Sequence, residues 1–437
     1  MRQHQIRNIF DQYTHQENRL THALVQVLAR DEDLAREFLA RFVPGLKVPP
    51  KHELCFSCQR SPEQEAEPEE AKSAEEEGTR GIPDFWVYQM GSEGKPEWAV
   101  FCECKVTAPL QAEQLRNHAR TAEKLHFLSL HLLTITPTKA GSEAFRLLPP
   151  SVETCPVAWS EVYEFMEGHR GHEYVEDFLD YMHVAEGELM EKQQDFEPLA
   201  KFTGIPFGTK HPYSALEAKS LLRALMRALR LRLGETGVFN SKIGRKAISD
   251  PWDVIGVHPA SVDEAFTKHP HVTVAIDREE CLIQLTLPDK AQTAYWKRIR
   301  ACSGQQLLDA FRRVAQGIGP QRPLGKGYWE PRLSVYLEQV HFWAQKDPKS
   351  DGLLQFDLNT ILYEEPRANV KPVQTWLPAL CSMLAAKPRA NFELGLRVRY
   401  PYVDGSVCRD AGFVDVLAKS AEAFQPFIAL LVEGSQP

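Results

Sequence analysis

Long apolar runs are missing from this chain. No uncharged apolar stretch approaches the roughly 18–20 residues of a membrane span, and Met1-Arg2-Gln3-His4 leads into polar sequence instead of a signal-peptide core. These absences argue against membrane and secreted classes and set the expectation of a cytoplasmic protein. Cysteine is sparse: nine in 437 residues, an odd number, which favours reduced thiols over a disulfide framework. Cys55-Phe56-Ser57-Cys58 is a lone C-x-x-C, with no second pair at zinc-finger spacing. Cys102 and Cys104 could approach it on the back of a sheet to frame a zinc ion, although alternating cysteines in a buried strand are more often small packing residues. No internal repeat is present. Gly325-Lys326-Gly327 lacks the following Ser or Thr and the upstream spacing of a phosphate-binding loop, so nucleotide hydrolysis has no motif here.

What the chain does have is a pair of acidic residues on a predictable hairpin. Two apolar runs, Phe85–Met90 and Trp98–Cys104, flank Gly91-Ser92-Glu93-Gly94-Lys95, and aromatic and branched residues around a Gly-rich polar break read as two antiparallel strands. Facing residues in such a pair have numbers that add to a constant. Placing Asp84 opposite Glu103 centres the turn between Glu93 and Gly94, where the turn residues stand. The two carboxylates should then be cross-strand neighbours, about 5 Å apart at Cβ. Alternation puts Lys105 on the same face as Glu103, with Cys102 and Cys104 on the other. Ile82, Phe85, Val100, Phe101 and Val106 surround these charges, so the strands are apolar on both faces, the pattern of central strands covered on both sides.

Two carboxylates and an ammonium at one strand end suit phosphodiester hydrolysis. Hard oxygen ligands fit Mg²⁺, with Mn²⁺ as a substitute, and Mg²⁺ keeps waters that phosphate oxygens can replace. Asp84 and Glu103 would hold the metal, and Lys105 would assist the attacking water and the charge growing on phosphorus. The bland alternative is a solvated surface ion pair, which the apolar company of these residues disfavours.

Pro83-Asp84 followed by Glu103-Cys104-Lys105 resembles the PD-(D/E)XK nuclease superfamily, the restriction-endonuclease-like fold, over roughly residues 1–185. The resemblance implies an α/β/α sandwich with a mixed central sheet flanked by helices, and a metal-dependent deoxyribonuclease with Asp84, Glu103 and Lys105 in the three signature roles. Many members add an acidic residue on a helix before the sheet, a position that Glu17 matches as a further metal ligand. Thr14-His15-Gln16-Glu17 is equally a capping-box spelling, in which Glu17 would instead reach back to its own helix start. A Gln on the helix after the third strand is also common. Gln114 fits, Gln111 competes for the role, and His118 stands where Tyr is usual, one helical turn after Gln114. DNA is the implied substrate, and the site chemistry alone admits RNA. The family setting further suggests a homodimer or a subunit of a larger complex, such as a restriction or antiphage defence system. A catalytically silent DNA-binding or assembly module working with a partner is the alternative.

The expected organisation is a nuclease-like domain over residues 1–192, a linker over 193–212 rich in Gly and Pro, and a second, α+β domain over 213–437. In the first, helices at about 14–29 and 31–42 precede a strand over His52–Gln59, the hairpin, a helix at about 108–126 capped by Thr107, a strand over His131–Thr136, and helices at about 158–167 and 172–192. In the second, Ser214–Gly234 reads as a helix carrying Lys219, Arg223, Arg227 and Arg230, which either track a phosphate backbone or form a solvated face. Tyr295-Trp296 with Lys297, Arg298 and Arg300 is a second basic–aromatic cluster, suited to stacking on bases or to packing. Val272–Ile276 with Cys281–Leu287 reads as a hairpin, Gln355–Tyr363 and Phe392–Tyr400 as strands, and 303–316 and 409–422 as helices.

The net charge of −8 is concentrated. Ser61–Gly78 holds eight Glu against Lys72, leaving only −1 for the rest of the chain. This acidic loop, at 61–79, has almost no apolar content and is expected to be disordered. It is either a solvating insertion or a DNA mimic competing for the cleft. On the second reading, deleting residues 61–78 raises DNA affinity or cleavage; an unchanged rate at low ionic strength leaves the solvating role.

Overall fold

The computed structural model describes residues 16–48, 53–58, 81–90, 96–172, 174–192, 198–209, 211–234, 236–245, 248–325, 327–342, 348–358, 376–385 and 391–432. Thr14, the acidic loop, the hairpin turn at 91–95 and the predicted strand end at 359–363 lie outside them. The chain divides into two compact units at Lys201/Phe202. Both contain helices and sheet: the first has a mixed sheet, the second an antiparallel one.

The first unit runs α1 (Gln16–Arg30), α2 (Glu32–Phe42), β1 (Cys55–Cys58), β2 (Phe85–Met90), β3 (Pro96–Cys104), α3 (Ala112–Lys124), β4 (Ser129–Thr136), β5 (Val152–Ala158), α4 (Trp159–Gly168) and α5 (Val175–Lys192). Strand order follows the sequence, antiparallel from β1 to β3 and parallel from β3 to β5. The change of sense has a simple cause. A tight turn can return a chain antiparallel, whereas the parallel β3–β4 pair needs a crossover, and α3 supplies it.

Alternation along β2 and β3 builds two cores. Phe85, Val87, Val100, Cys102 and Cys104 pack with Leu20, Leu24, Val27 and Leu28 of α1 and with residues of α2, α4 and α5. Trp86, Tyr88, Ala99 and Phe101 pack on the other side with Leu115, Ala119 and Ala122 of α3. Helices therefore cover both faces, as the apolar strands require. The zinc reading of the C-x-x-C fails on the same alternation: Cys58 packs with the first cluster and Cys55 with the second. Residues three apart in a strand point to opposite sides.

Three expectations need correction here. The helix after β3 begins at Ala112 with Gln111 at its N-cap, and not at Thr107; Ala108 precedes Pro109 and is biased toward extended backbone. β5 was not expected, because Pro156 interrupts its pattern, but a strand at the sheet edge tolerates a residue without an N–H. The segment read as linker is structural from Phe202 onward: Phe202, Ile205 and Phe207 are buried in the second core.

The second unit contains α6 (Ala215–Leu233), β6 (Phe239–Asn240), β7 (Trp252–Val257), β8 (His271–Ile276), β9 (Glu280–Leu287), α7 (Thr293–Ala301), α8 (Gly304–Ile318), β10 (Arg322–Pro323), β11 (Trp329–Glu330), β12 (Arg332–Phe342), β13 (Pro348–Asp357), α9 (Trp376–Ala385), β14 (Asn391–Pro401), α10 (Phe413–Ala423) and α11 (Gln425–Val432). Seven strands form one sheet in the order β13-β12-β14-β9-β8-β7-β6, every pairing antiparallel. Ser214 caps α6 by accepting from the Glu217 amide, and Gly234 closes it. The helices pack on the face carrying Leu333, Val335, Leu337, Leu394, Leu396 and Val398. β12 was missed although Leu333, Val335 and Leu337 alternate with polar residues, a true period-two signal.

Phe202–Phe207 is held by close backbone approach. Ile205 N–H donates to Cys408 O at 2.8 Å. Gly204 has φ +129°, and a Cβ there would lie 2.3 Å from Arg409 O. Gly204→Ala is expected to cost the second unit about 2 kcal/mol or more, read as an earlier urea transition. A wild-type transition would show that this contact is dispensable.

Candidate active site

The hairpin register is the one the sequence predicts: Phe85 faces Cys102, Trp86 faces Phe101 and Val87 faces Val100, so partner numbers add to 187. Asp84 sits one residue before β2. Its Oδ2 accepts from the Cys104 amide at 2.6 Å, joining the two strand ends where the backbone ladder stops. The preceding turn lies against α3, for Gly81 has φ +70° and a Cβ there would lie 2.6 Å from Asn117 O.

Glu103 is the centre of the arrangement. It is 1% exposed, and a buried carboxylate must be compensated. Lys105 Nζ lies 2.7 Å from its Oε1, and Gln114 Nε2 donates to the same oxygen at 2.7 Å. His118 Nε2 stands 3.0 Å from Oε2, close enough for an ion pair though off the line of a good hydrogen bond. Gln114, and not Gln111, is the glutamine that reaches the site, since Gln111 serves as the N-cap of α3. In the sequence His118 departs from the usual Tyr and shares a helix face with Gln114. Its position four residues after Gln114, on the same face of α3, is the signal that it also touches Glu103.

Lys105 is fixed through its backbone just past the end of β3. Its N–H donates to Ile135 O at 2.9 Å, and Trp159 Nε1 donates to its carbonyl at 2.9 Å. Burial pushes the Glu103 carboxyl up, but the His118 contact and the positive charge of Lys105 outweigh it and hold the group below the usual carboxylate range. Behind the sheet, burial pushes the Cys58 thiol up to about 12, and Cys102 and Cys104 rise for the same reason. These are neutral packing thiols.

Glu17 lies in the first turn of α1, and its side chain is outside the described set. Thr21, one turn later, is buried with its hydroxyl beside the Cys104 thiol. In the second unit, Lys297, Arg300 and Arg227 are exposed, while Lys219 and Arg223 are half-buried. Arg230 is engaged by Asp253 at 2.6 Å and by Val254 O at 3.0 Å, and Arg298 by Leu431 O at 3.2 Å. Tyr295 and Trp296 are buried in the core and are not offered for stacking on bases.

Among the described residues, no group of three or more His, Cys, Asp and Glu side chains is arranged to hold a metal. Mg²⁺ asks for less, one or two carboxylates with water and phosphate completing its sphere. Asp84 and Glu103 are hard donors joined to adjacent strand ends, so the donor set fits. No helix among the described residues is long and apolar enough to cross a membrane. No protein-family model matches the chain, and no curated protein or solved structure matches it either.

A carboxyl held low contributes stability above its unfolded value of about 4.5, and that contribution is lost as pH falls through its folded value. Lys105→Met removes a cation that holds it low. The acid-unfolding transition of the variant should therefore move to higher pH; coincident transitions would show that the ion pair carries no weight.

Proposed function

We propose that the chain is a metal-dependent nuclease of the PD-(D/E)XK type, with its first unit a restriction-endonuclease-like sandwich that hydrolyses phosphodiester bonds of DNA. One observation carries the reading: a buried carboxylate, Glu103, is contacted by Lys105 and Gln114 at 2.7 Å, beside Asp84 at the adjacent strand end. Charge this deep in a sheet is costly. Structural ion pairs are more simply made at the surface, and a pre-set Asp-Glu-Lys group is what phosphoryl chemistry needs.

In this reading Asp84 and Glu103 hold Mg²⁺ or Mn²⁺, and the bound metal supplies Lewis-acid stabilisation of the phosphate oxygens. Lys105, beside Glu103 at 2.7 Å, would hold the attacking water and balance negative charge at the phosphorus oxygens. Gln114 and His118 keep the Glu103 carboxylate oriented. DNA is the expected substrate, with RNA admitted by the same chemistry, and assembly as a dimer or within a defence complex remains part of the proposal.

A second reading has its own support. Both oxygens of Glu103 already face donors, which is also how a silent nuclease-fold module, working beside a partner protein, would satisfy a buried acid.

Cleavage of supercoiled plasmid and of linear single- and double-stranded DNA, with Mg²⁺, Mn²⁺ or EDTA, decides between them. Metal-dependent cutting is expected. Asp84→Ala should lower it by more than the roughly 10–100-fold seen for groups one step removed from a metal. Wild-type cutting by that variant would refute the site assignment, and no cutting by folded wild-type protein under any condition selects the silent module.

A further inference from the structure

The seven-stranded sheet of the second unit has one face on its helices, and the other face is polar and organised. Alternation sends Arg332, Ser334 and Tyr336 of β12 to the side away from Leu333, Val335 and Leu337. The register places Arg332 opposite Arg399 and Ser334 opposite Arg397 on β14, and Arg397 opposite Gln284 on β9. Three arginines thus share one end of this face, while Glu338 and Glu393, directly opposed, mark the other.

Acids offset that basic end in part: Glu280 feels the charge of all three arginines, and Asp357 stands opposite Ser334. Glu280 takes Arg399, Nε to Oε1 at 3.0 Å, and Arg399 also donates to Gln355 at 3.1 Å. Glu393 accepts from Tyr336 Oη at 3.0 Å. Arg397 gives its Nε to Gln284 Oε1 at 2.7 Å and lies over the buried Tyr336 ring at 4.6 Å. Among the described residues nothing accepts from its two terminal nitrogens. The Arg332 side chain is exposed and hydrogen-bonds to no described residue. One guanidinium, that of Arg397, is therefore held in place with donors unspent, and an exposed second, that of Arg332, shares its face, which is how arginine is presented to phosphate.

Exposed aromatics stand three and four residues before Arg332. The short β10–β11 hairpin packs against β14 and is anchored by Glu330, which is 1% exposed and accepts from Ser406 and the Val407 amide. Tyr328 and Trp329, next to that anchor, are 50% and 46% exposed. Large aromatics left open next to unspent arginines match unpaired nucleic acid, whose bases stack on rings while its phosphates take cations.

We propose that this face binds single-stranded polynucleotide, Arg332 and Arg397 taking phosphates and Tyr328 and Trp329 stacking on bases. The proposal rests on the nuclease reading only for its choice of ligand. The test is fluorescence anisotropy of the full chain in EDTA with labelled oligo(dT) of about 30 nucleotides, several site lengths, and with a duplex of equal length. Arg332→Gln/Arg397→Gln is expected to lower the salt slope of log affinity by about 1.4, two phosphate contacts at about 0.7 each. Tyr328→Ala/Trp329→Ala is expected to weaken oligo(dT) binding by about 5- to 100-fold, the range for losing base stacking. Arg332→Lys/Arg397→Lys should keep most of the affinity, and Arg312→Gln, on exposed α8, should match wild type. Wild-type affinity and salt slope in both double variants, or no oligo(dT) binding by the wild-type chain, overturns the proposal. Metal-free binding without cleavage under any condition counts against the nuclease reading alone; cleavage with affinities indifferent to these four residues counts against this inference alone.

Discussion

A carboxylate with almost no access to water constrains everything around it. Glu103 sits at the end of a central strand, and its charge has to be met from within the fold. Lys105 meets it from the same strand, Gln114 and His118 from the helix that follows. The crossover helix is therefore more than a connector between parallel strands: its position and rotation are tied to an electrostatic demand made by the sheet. Asp84 closes the opposite side by accepting the Cys104 amide, so the site is framed by one hairpin and one helix.

This dependence explains why the first unit was legible. A hairpin writes its register into turn position and alternation, and the pairing of Phe85 with Cys102 follows from residue numbers alone. Gln114 was separable from Gln111 only once the helix start was fixed, because a shift of a few residues changes which side chain faces the sheet. The predicted start at Thr107 overlooked the bias that Pro109 puts on its neighbour. Likewise β5 was hidden by a proline that an edge position tolerates. Burial was the least legible property of all: no local pattern reveals that Tyr295 and Trp296 face inward while Tyr328 and Trp329 face out.

The second unit was legible in part, through helices such as α6 and the β8–β9 hairpin. Ser214 caps the start of α6 as capping rules require, and Gly234 stands at its end. Strands β7 and β12 pair with neighbours close in sequence, β7 with β8 and β12 with β13, and β12 carries a period-two pattern that went unused, whereas its second partner, β14, lies far along the chain. The polar face of that sheet is a further product of long-range register, since Arg332, Arg397 and Gln284 become neighbours only through β12, β14 and β9.

The borders of the first sheet carry a consequence for assembly. β1 is four residues long, and β5 contains Pro156, which has no N–H to offer a further strand. Neither border is a good template for another chain. Copies of this unit that associate would meet across helices and loops, so their contacts can change without disturbing the backbone ladder that holds the carboxylates in place.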